Sequence, residues 1–304
     1  MRNTLVATFL EEARKNPNLV FLTGDLGFNV LECIQNELPN QFFNCGISEQ
    51  NMASVAAGLA LSGKCVFMYS IGNFSSLRCL EQIRNDIAYH NANVIIVALA
   101  AGFAYGPLGM SHHSTEDIAC MRCLPNMTVF SPCDPIETVK VTRAAMRING
   151  PAFIRLGRGG EPTLWESFDS FTVGKAYKMF DGGNDVIFST GAITAEAIKA
   201  VKELKSRGID VALYTFPTIK PIDVETITNC AKKYQRIITL EEHQINGGLA
   251  GSVAEVLAEI PGNKAVLKRI GMRDVFTSAV GSTAYLREYY GLDSKAIIKV
   301  IEEK

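Results

Sequence analysis

Short apolar runs alternate with longer segments of helical spacing along most of the chain. LVFLTGD (19–25), CVFMYS (65–70), VIIVALA (94–100), MTVFSP (127–132) and AFIRLG (152–157) read as buried strands. Between and after them, 49–62, 76–91, 115–124 and 135–148 carry helical spacing, and MRNTLVATFLEEARK opens the chain as an amphipathic helix. Continuously apolar strands separated by helices predict a parallel sheet covered on both faces. The rhythm breaks at 158–184, which is rich in Gly and turn residues and holds the only Trp. A second alternation follows, with strands at 185–190, 210–216, 236–242 and 265–271 and helices at 192–207, 223–234 and 249–260. The expected architecture is α/β in two domains: residues 1–160, a linker at 161–184, and a smaller α/β domain at 185–304.

One stretch stands out within this pattern. FFNCGISEQNMASVAAGLALSG (42–63) contains a single charged residue, Glu49. Met52, Val55, Ala56, Leu59 and Ala60 share a helical face behind it, so the helix is expected to be buried with an acid at its first turn. A carboxylate there suits the helix dipole. It equally suits a site that needs an acid at an apolar helix start.

Composition narrows the classes. The chain is 47% hydrophobic and 20% charged with a net charge of −1, and it has no Lys/Arg block. Neither a nucleic acid nor a membrane is an expected partner. The longest apolar run, from Val94 to Tyr105, is too short and too interrupted by Gly to span a bilayer. No signal-peptide pattern is read at the N-terminus. The eight cysteines are scattered, and they read as free thiols of a reducing cytoplasm. The lone Cys-x-x-Cys, CMRC at 120–123, has no second pair at zinc-like spacing, so no metal site is expected in this chain.

Candidate chemistry concentrates in loops. No P-loop, dinucleotide fingerprint or Gly-x-Ser-x-Gly elbow occurs. Glycines open a helix in NGGLAGSVAEVLAE (246–259), where either an anion or tight packing onto a strand accounts for them. His112 and His113 lie in a long Gly-containing loop after a strand. Adjacent residues point different ways, so one of the two imidazoles faces a cleft. Arg155 and Arg158 flank Gly157 at a strand end, a place suited to clamping an anion.

Taken together, GISEQ (46–50), GNFSSLRCLEQIRND (72–86), GPLGMSHHSTEDIACMRCLPNMTVFSPCDPIET (106–138), EEHQINGGLAGSVAEVLAE (241–259) and GMRDVFTSAVGSTAYLREYYGLD (271–293) resemble the C-terminal half of transketolases in order and spacing. The resemblance covers nearly the whole chain. It implies a pyrimidine-binding domain at 1–160 and a transketolase C-terminal domain at 185–304, acting with thiamin diphosphate. It also implies roles for particular residues. Glu49 would be the acid that meets the aminopyrimidine ring, Phe74 one wall of that pocket, and Asp25 an acid near the cofactor and the subunit interface. His112 would contact the sugar hydroxyls with His113 beside it, while Arg158 and Arg2 would grip the distal phosphate.

Departures from the family pattern matter as much. Leu77 and Leu80 stand where other members place two further aromatics, so pyrimidine stacking would be aliphatic or supplied by another side chain. Leu108 replaces an Asp that reads the donor's hydroxyl, which points to an unusual sugar. No Gly-Asp-Gly occurs in the chain. In this family that motif, with a following Asn, holds the diphosphate through Mg²⁺ and lies in the N-terminal half. The resemblance thus implies one subunit of a split transketolase, whose N-terminal partner carries Gly-Asp-Gly…Asn, Mg²⁺ and the diphosphate in an α2β2 assembly. The implied reaction moves a two-carbon ketol unit from a ketose, phosphorylated by expectation, to an aldose. Two other readings compete. One is the β subunit of a 2-oxoacid dehydrogenase, against which the Ser-His-His loop speaks. The other is a non-catalytic regulatory subunit, against which Glu49 speaks.

Overall fold

The computed structural model describes residues 1–262 and 264–303. In chain order the strands are β1 (Leu19–Thr23), β2 (Phe42–Asn44), β3 (Cys65–Ile71), β4 (Val94–Leu99), β5 (Thr128–Phe130), β6 (Ala152–Leu156), β7 (Tyr177–Phe180), β8 (Asp185–Ser189), β9 (Val211–Thr215), β10 (Thr218–Lys220), β11 (Arg236–Gln244) and β12 (Val266–Met272). The first sheet has the order β10-β5-β6-β4-β3-β1-β2, and every neighbouring pair is parallel except β10 on β5. The second has the order β12-β11-β8-β9-β7, parallel except for β7 on β9.

Apolar residues at every position of β4, and at most positions of β1 and β3, require cover on both faces. On one face Leu5, Val6 and Phe9 of helix Arg2–Ala13 pack on Phe21, Phe67 and Ile95, with Val141 of helix Pro135–Ala145. On the other, Met52, Ala53, Ala56 and Ala57 of helix Glu49–Leu61 pack on Leu22, Met68 and Ile96. That second cluster continues through Val129 and Phe153 to Phe216, Ile219 and Ile227 of the second half, so the two domains share a core.

Four local expectations change. Helix Glu49–Leu61 is covered on one side only: Asn51, Ser54, Val55, Gly58 and Leu61 are exposed. Its low charge therefore does not mean burial within this chain. The helix expected at 76–91 is shorter and irregular: Leu80–Gln82 runs into a π-helical turn, Ile83–Ala88, and a separate short helix, Gly72–Ser75, precedes it. Ser75 and Ser76 donate their hydroxyls to the carbonyls of Ile71 and Gly72, an alternative to helix bonding that short hydroxyl side chains offer. Within the expected linker, β7 pairs with β9, so the second sheet begins at Tyr177 and not at Asp185. Finally, β10 leaves the second half to edge the first sheet. No described helix is long and apolar enough to cross a membrane.

Buried charge closes the junction between the halves. The Arg155 guanidinium, 3% exposed, donates to both Asp117 carboxylate oxygens (3.0 and 2.8 Å) and to the carbonyls of Ser114 (2.7 Å) and Glu242 (2.9 Å). Glu242 accepts from the Phe103 amide (2.7 Å) and pairs with Arg287. Every charge taken out of water here has a partner, which burial demands.

Candidate functional site

Parallel strands bring their C-terminal ends to one edge of the first sheet, and the connecting loops collect there. Gly24 and Asp25 follow β1, Gly72–Phe74 follow β3, the loop holding both histidines follows β4, and Gly157–Arg158 follow β6. The short β2 then delivers the start of helix Glu49–Leu61 to the same edge.

Glu49 is 2% exposed. Ser70 Oγ donates to its Oε1 at 3.3 Å, and Arg78 donates to its Oε2 at 2.8 Å. A Cβ on Gly24 would lie 3.5 Å from that Oε1, so the turn after β1 packs directly beside the carboxylate. Asp25 follows with φ 56°, a conformation that Asp tolerates better than most residues. Asn44 fixes it, donating to Asp25 Oδ1 (2.9 Å) and accepting from the amides of Asp25 and Gly46 (both 3.0 Å).

From Glu49 a continuous line of contacts crosses the site. The Arg78 guanidinium lies 4.1 Å from the centroid of the Phe74 ring. Phe74 meets His112 edge-on, with centroids 5.2 Å apart at 66°. His112 lies 6.2 Å from Tyr105, and the Arg158 guanidinium is 5.4 Å from the Tyr105 centroid. Arg2 runs alongside, its Nε 4.0 Å from where a Cβ on Gly159 would stand. Among the described residues neither Arg2 nor Arg158 has an acidic partner, which leaves both free for an outside anion.

The two histidines divide as adjacency predicts. His113 is buried, with Nε2 donating to the Gly106 carbonyl (3.0 Å) and Nδ1 accepting from Thr277 Oγ1 (2.7 Å), so both nitrogens are spent inside the chain. His112 is half-exposed and has only Ser111 Oγ, 3.0 Å from its Nδ1. Burial lowers its pKa from 6.5, and nearby His113 and Arg78 add to the effect. A serine hydroxyl donating to Nδ1 leaves the proton on Nε2.

Other expected residues are less engaged. Leu77 and Leu108 are exposed, while Leu80 is half-buried and packs in part against the core. Arg155 is spent on the junction. The glycines at 246–259 serve packing: Glu241 accepts from the amides of Leu249 (2.8 Å) and Ala250 (2.9 Å), and a Cβ on Gly248 would fall 2.0 Å from Glu241 Oε2. The chain's own carboxylate thus fills that helix N-terminus. Arg158 also lines a cavity of about 390 Å³ between the domains. Its other cations, Lys199 and Arg287, pair with Glu196 and Glu242. Among the described residues no three His, Cys, Asp or Glu side chains gather as a metal site.

Sequence reasoning missed Arg78, Asn73, Ser70 and Tyr105. Arg78 had a signal, being the only cation between Lys64 and Arg84. The residue types beside Glu49 suit an aminopyrimidine, provided Arg78 yields its place between that acid and Phe74. A buried carboxylate can take the ring edge, and Phe74 with Leu77 can take its face. Arg78 already spans that acid and that face.

Residues 1–161 match the family described as "Transketolase, pyrimidine binding domain", and residues 174–297 match "Transketolase, C-terminal domain". The chain is 42% identical to a "putative transketolase C-terminal section" of Methanocaldococcus jannaschii, over 100% of this chain and 96% of that one. It is 38% identical to one subunit of an apulose-4-phosphate transketolase of Phocaeicola vulgatus, covering 99% and 96%. To a 6-deoxy-6-sulfo-D-fructose transketolase subunit of Clostridium sp. the identity is 35%, covering 100% and 94%. A split-gene transketolase solved as an inactive β4 tetramer superposes with a TM-score of 0.90 at 36% identity, covering 99% and 97%. The transketolase of Campylobacter jejuni shares the fold over 46% of its length, with a TM-score of 0.83 at 17% identity. By sequence and by fold, the chain belongs to the transketolase family and carries its pyrimidine-binding and C-terminal domains.

Proposed function

We propose that this chain is the C-terminal subunit of a two-component, thiamin-diphosphate-dependent transketolase that moves a two-carbon ketol unit from a ketose to an aldose. The observation that carries the reading is the unbroken line Glu49–Arg78–Phe74–His112–Tyr105–Arg158, which joins an acid for the cofactor ring to a cation for the far end of the substrate. When bound, the cofactor supplies the carbon nucleophile and the electron sink. Glu49 would hold a proton at the ring nitrogen, with Phe74, Leu77 and Leu80 giving apolar contact and Asp25 closing the turn beside it. His112 Nε2–H would orient a hydroxyl or carbonyl oxygen of the sugar. His113 would support that loop, and Leu108, exposed beside it, would contact the donor sugar.

Arg158 and Arg2 would take the distal anion. Two relatives are named for substrates that carry a phosphate and a sulfonate, and both groups suit an unpaired guanidinium. Because Gly-Asp-Gly is missing from the sequence, the N-terminal partner would hold Mg²⁺ and the diphosphate through Gly-Asp-Gly…Asn in an α2β2 heterotetramer. With a division at about residue 160, the residues proposed to face the cofactor would all belong to the first domain. Eight unpaired cysteines suit a cytoplasmic setting.

The test is reconstitution. Ketol transfer from phosphorylated or sulfonated ketoses is expected only with both subunits, Mg²⁺ and thiamin diphosphate. Glu49→Gln should lower turnover at least about a hundredfold. Activity of this chain alone, or oxidative decarboxylation of a 2-oxoacid by the complex, would overturn the reading.

A further inference from the structure

The loop that carries His112 is long and conformationally permissive. It runs from the end of β4 through Ala100 (φ 64°), Gly102 (φ 58°) and Gly109 (φ 75°), and its own backbone bonds, Gly102 with Ser114 and the His112 and His113 amides to Gly109, leave the carbonyls of Ser111 and His113 untied. One side chain from a different strand end supplies the missing constraint. Asn73 Nδ2 donates to the carbonyl of Ser111 at 3.2 Å and to the carbonyl of His113 at 2.8 Å. These carbonyls bracket His112, so a single amide group ties the backbone on both sides of it.

The neighbours of Asn73 act on the same loop. A Cβ on Gly72 would lie 2.6 Å from Ser114 Oγ, so the turn after β3 abuts the loop directly. Phe74 bears edge-on against the His112 ring. On the far side, His113 is pinned through both nitrogens, one of them to Thr277 of the second domain. His112 is left as a free imidazole between two fixed peptides.

We infer that Asn73 is a positioning residue for His112, holding the loop by a two-carbonyl clamp that requires two N–H donors on one short side chain. The residue type follows from the chemistry. Asp would set acceptors against two carbonyl oxygens, Leu would offer no donor, and Gln is one methylene too long. Among the described residues Asn73 Oδ1 is buried with no hydrogen-bond donor, a cost that its two donor bonds offset. The inference rests on the reading that His112 contacts the sugar, and the test keeps the two apart.

The reconstituted complex is compared as wild type, Asn73→Leu, Asn73→Asp, His112→Ala and His112→Ala/Asn73→Leu, with unfolding midpoints confirming that each variant folds. Loss of two hydrogen bonds that hold a reactive loop should lower kcat/KM for the ketose about tenfold in Asn73→Leu and more in Asn73→Asp. Affinity for thiamin diphosphate, measured by calorimetry, should change by less than about twofold. In the His112→Ala background, Asn73→Leu should add less than about twofold, because coupled residues are not additive. A full tenfold loss in that background would overturn the inference, as would no loss in the wild-type one when His112→Ala itself lowers kcat/KM.

A readout without turnover checks the placement itself. In NMR of the isotopically labelled chain, the His112 titration midpoint, held below 6.5 by burial and by His113 and Arg78, should rise when Asn73→Leu releases the loop. An unchanged midpoint would overturn the clamp even if His112→Ala proved silent in the assay. That silence with a moved midpoint would instead refute the sugar-contact reading and leave the clamp standing.

Discussion

Raising the pH from about 5 to about 8 is expected to destabilise the protein through one buried acid far from the candidate site. Glu137 has no exposed surface. It accepts from the Cys133 amide at 2.7 Å and from Trp165 Nε1 at 3.0 Å, yet burial still pushes its pKa from 4.5 to about 7, with Asp134 adding to the rise. Below about pH 4.5 the side chain is protonated in both the folded and unfolded chain, and it costs nothing. As pH climbs through that range the unfolded carboxyl ionises while the folded one keeps its proton, so stability falls. Above about pH 7 both forms are ionised and the penalty levels off. At about 1.4 kcal/mol per tenfold in the proton equilibrium, the loss between pH 5 and pH 8 is about 2–3 kcal/mol.

Glu137→Gln removes the titration. It also turns an NH₂ toward one of two N–H donors, a cost that is the same at every pH and cancels in the comparison. The assay is urea unfolding at pH 5, 6, 7 and 8, followed by Trp165 fluorescence. Trp165 is the only tryptophan, bonds to Glu137 itself, and stacks on Phe168 at 4.9 Å and 29°. Other groups titrate alike in both proteins, so wild type should lose about 2–3 kcal/mol more than the variant across that range. Parallel stability curves for the two would refute the reasoning.

Five further outcomes test the scaffold. Gly248→Ala, whose Cβ would fall 2.0 Å from the capping Glu241 carboxylate, should cost at least about 2 kcal/mol in thermal unfolding. Gly251→Ala, with nothing nearer than Arg122 at 3.7 Å, should gain about 0.5–1 kcal/mol. Arg155→Met strands the fully buried Asp117 and should cost about 3–5 kcal/mol by urea unfolding, with Asp117→Asn restoring part of it. Cutting the exposed Arg14–Glu37 pair should leave the midpoint essentially unchanged. Thiol labelling of the native protein should reach the exposed Cys33 and Cys123 first. Cys65 and Cys79, buried and pushed up to about 12, should react only on unfolding.

The alternation of apolar strands and helical spacing was enough to read both α/β domains, because a parallel sheet buried on two faces leaves its mark in every strand, as in VIIVAL of β4. Short or edge elements escaped. Strands β2 and β10 have three residues each and β7 has four, too few for a period to show. The helix predicted to begin at Ser76 begins only at Leu80, after serines whose hydroxyls bond the backbone of the preceding turn, because hydroxyl-to-backbone bonds leave no periodic trace.

The candidate site divides the same way. Glu49, Phe74, His112 and Arg158 were legible because motif spacing is a property of the chain, and so was the lack of a Gly-Asp-Gly that points to a partner. Tertiary structure alone decided that Arg78 spans Glu49 and Phe74, that Tyr105 links His112 to Arg158, and that Asn73 reaches across to the His112 loop. It also decided which histidine is spent, by bringing Thr277 from the second domain to His113 across 164 positions of sequence. Periodicity reports which way a residue faces along its own element. Which distant group it meets depends on how strand ends, turns and a second domain converge at one edge of a sheet, and no local pattern encodes that convergence.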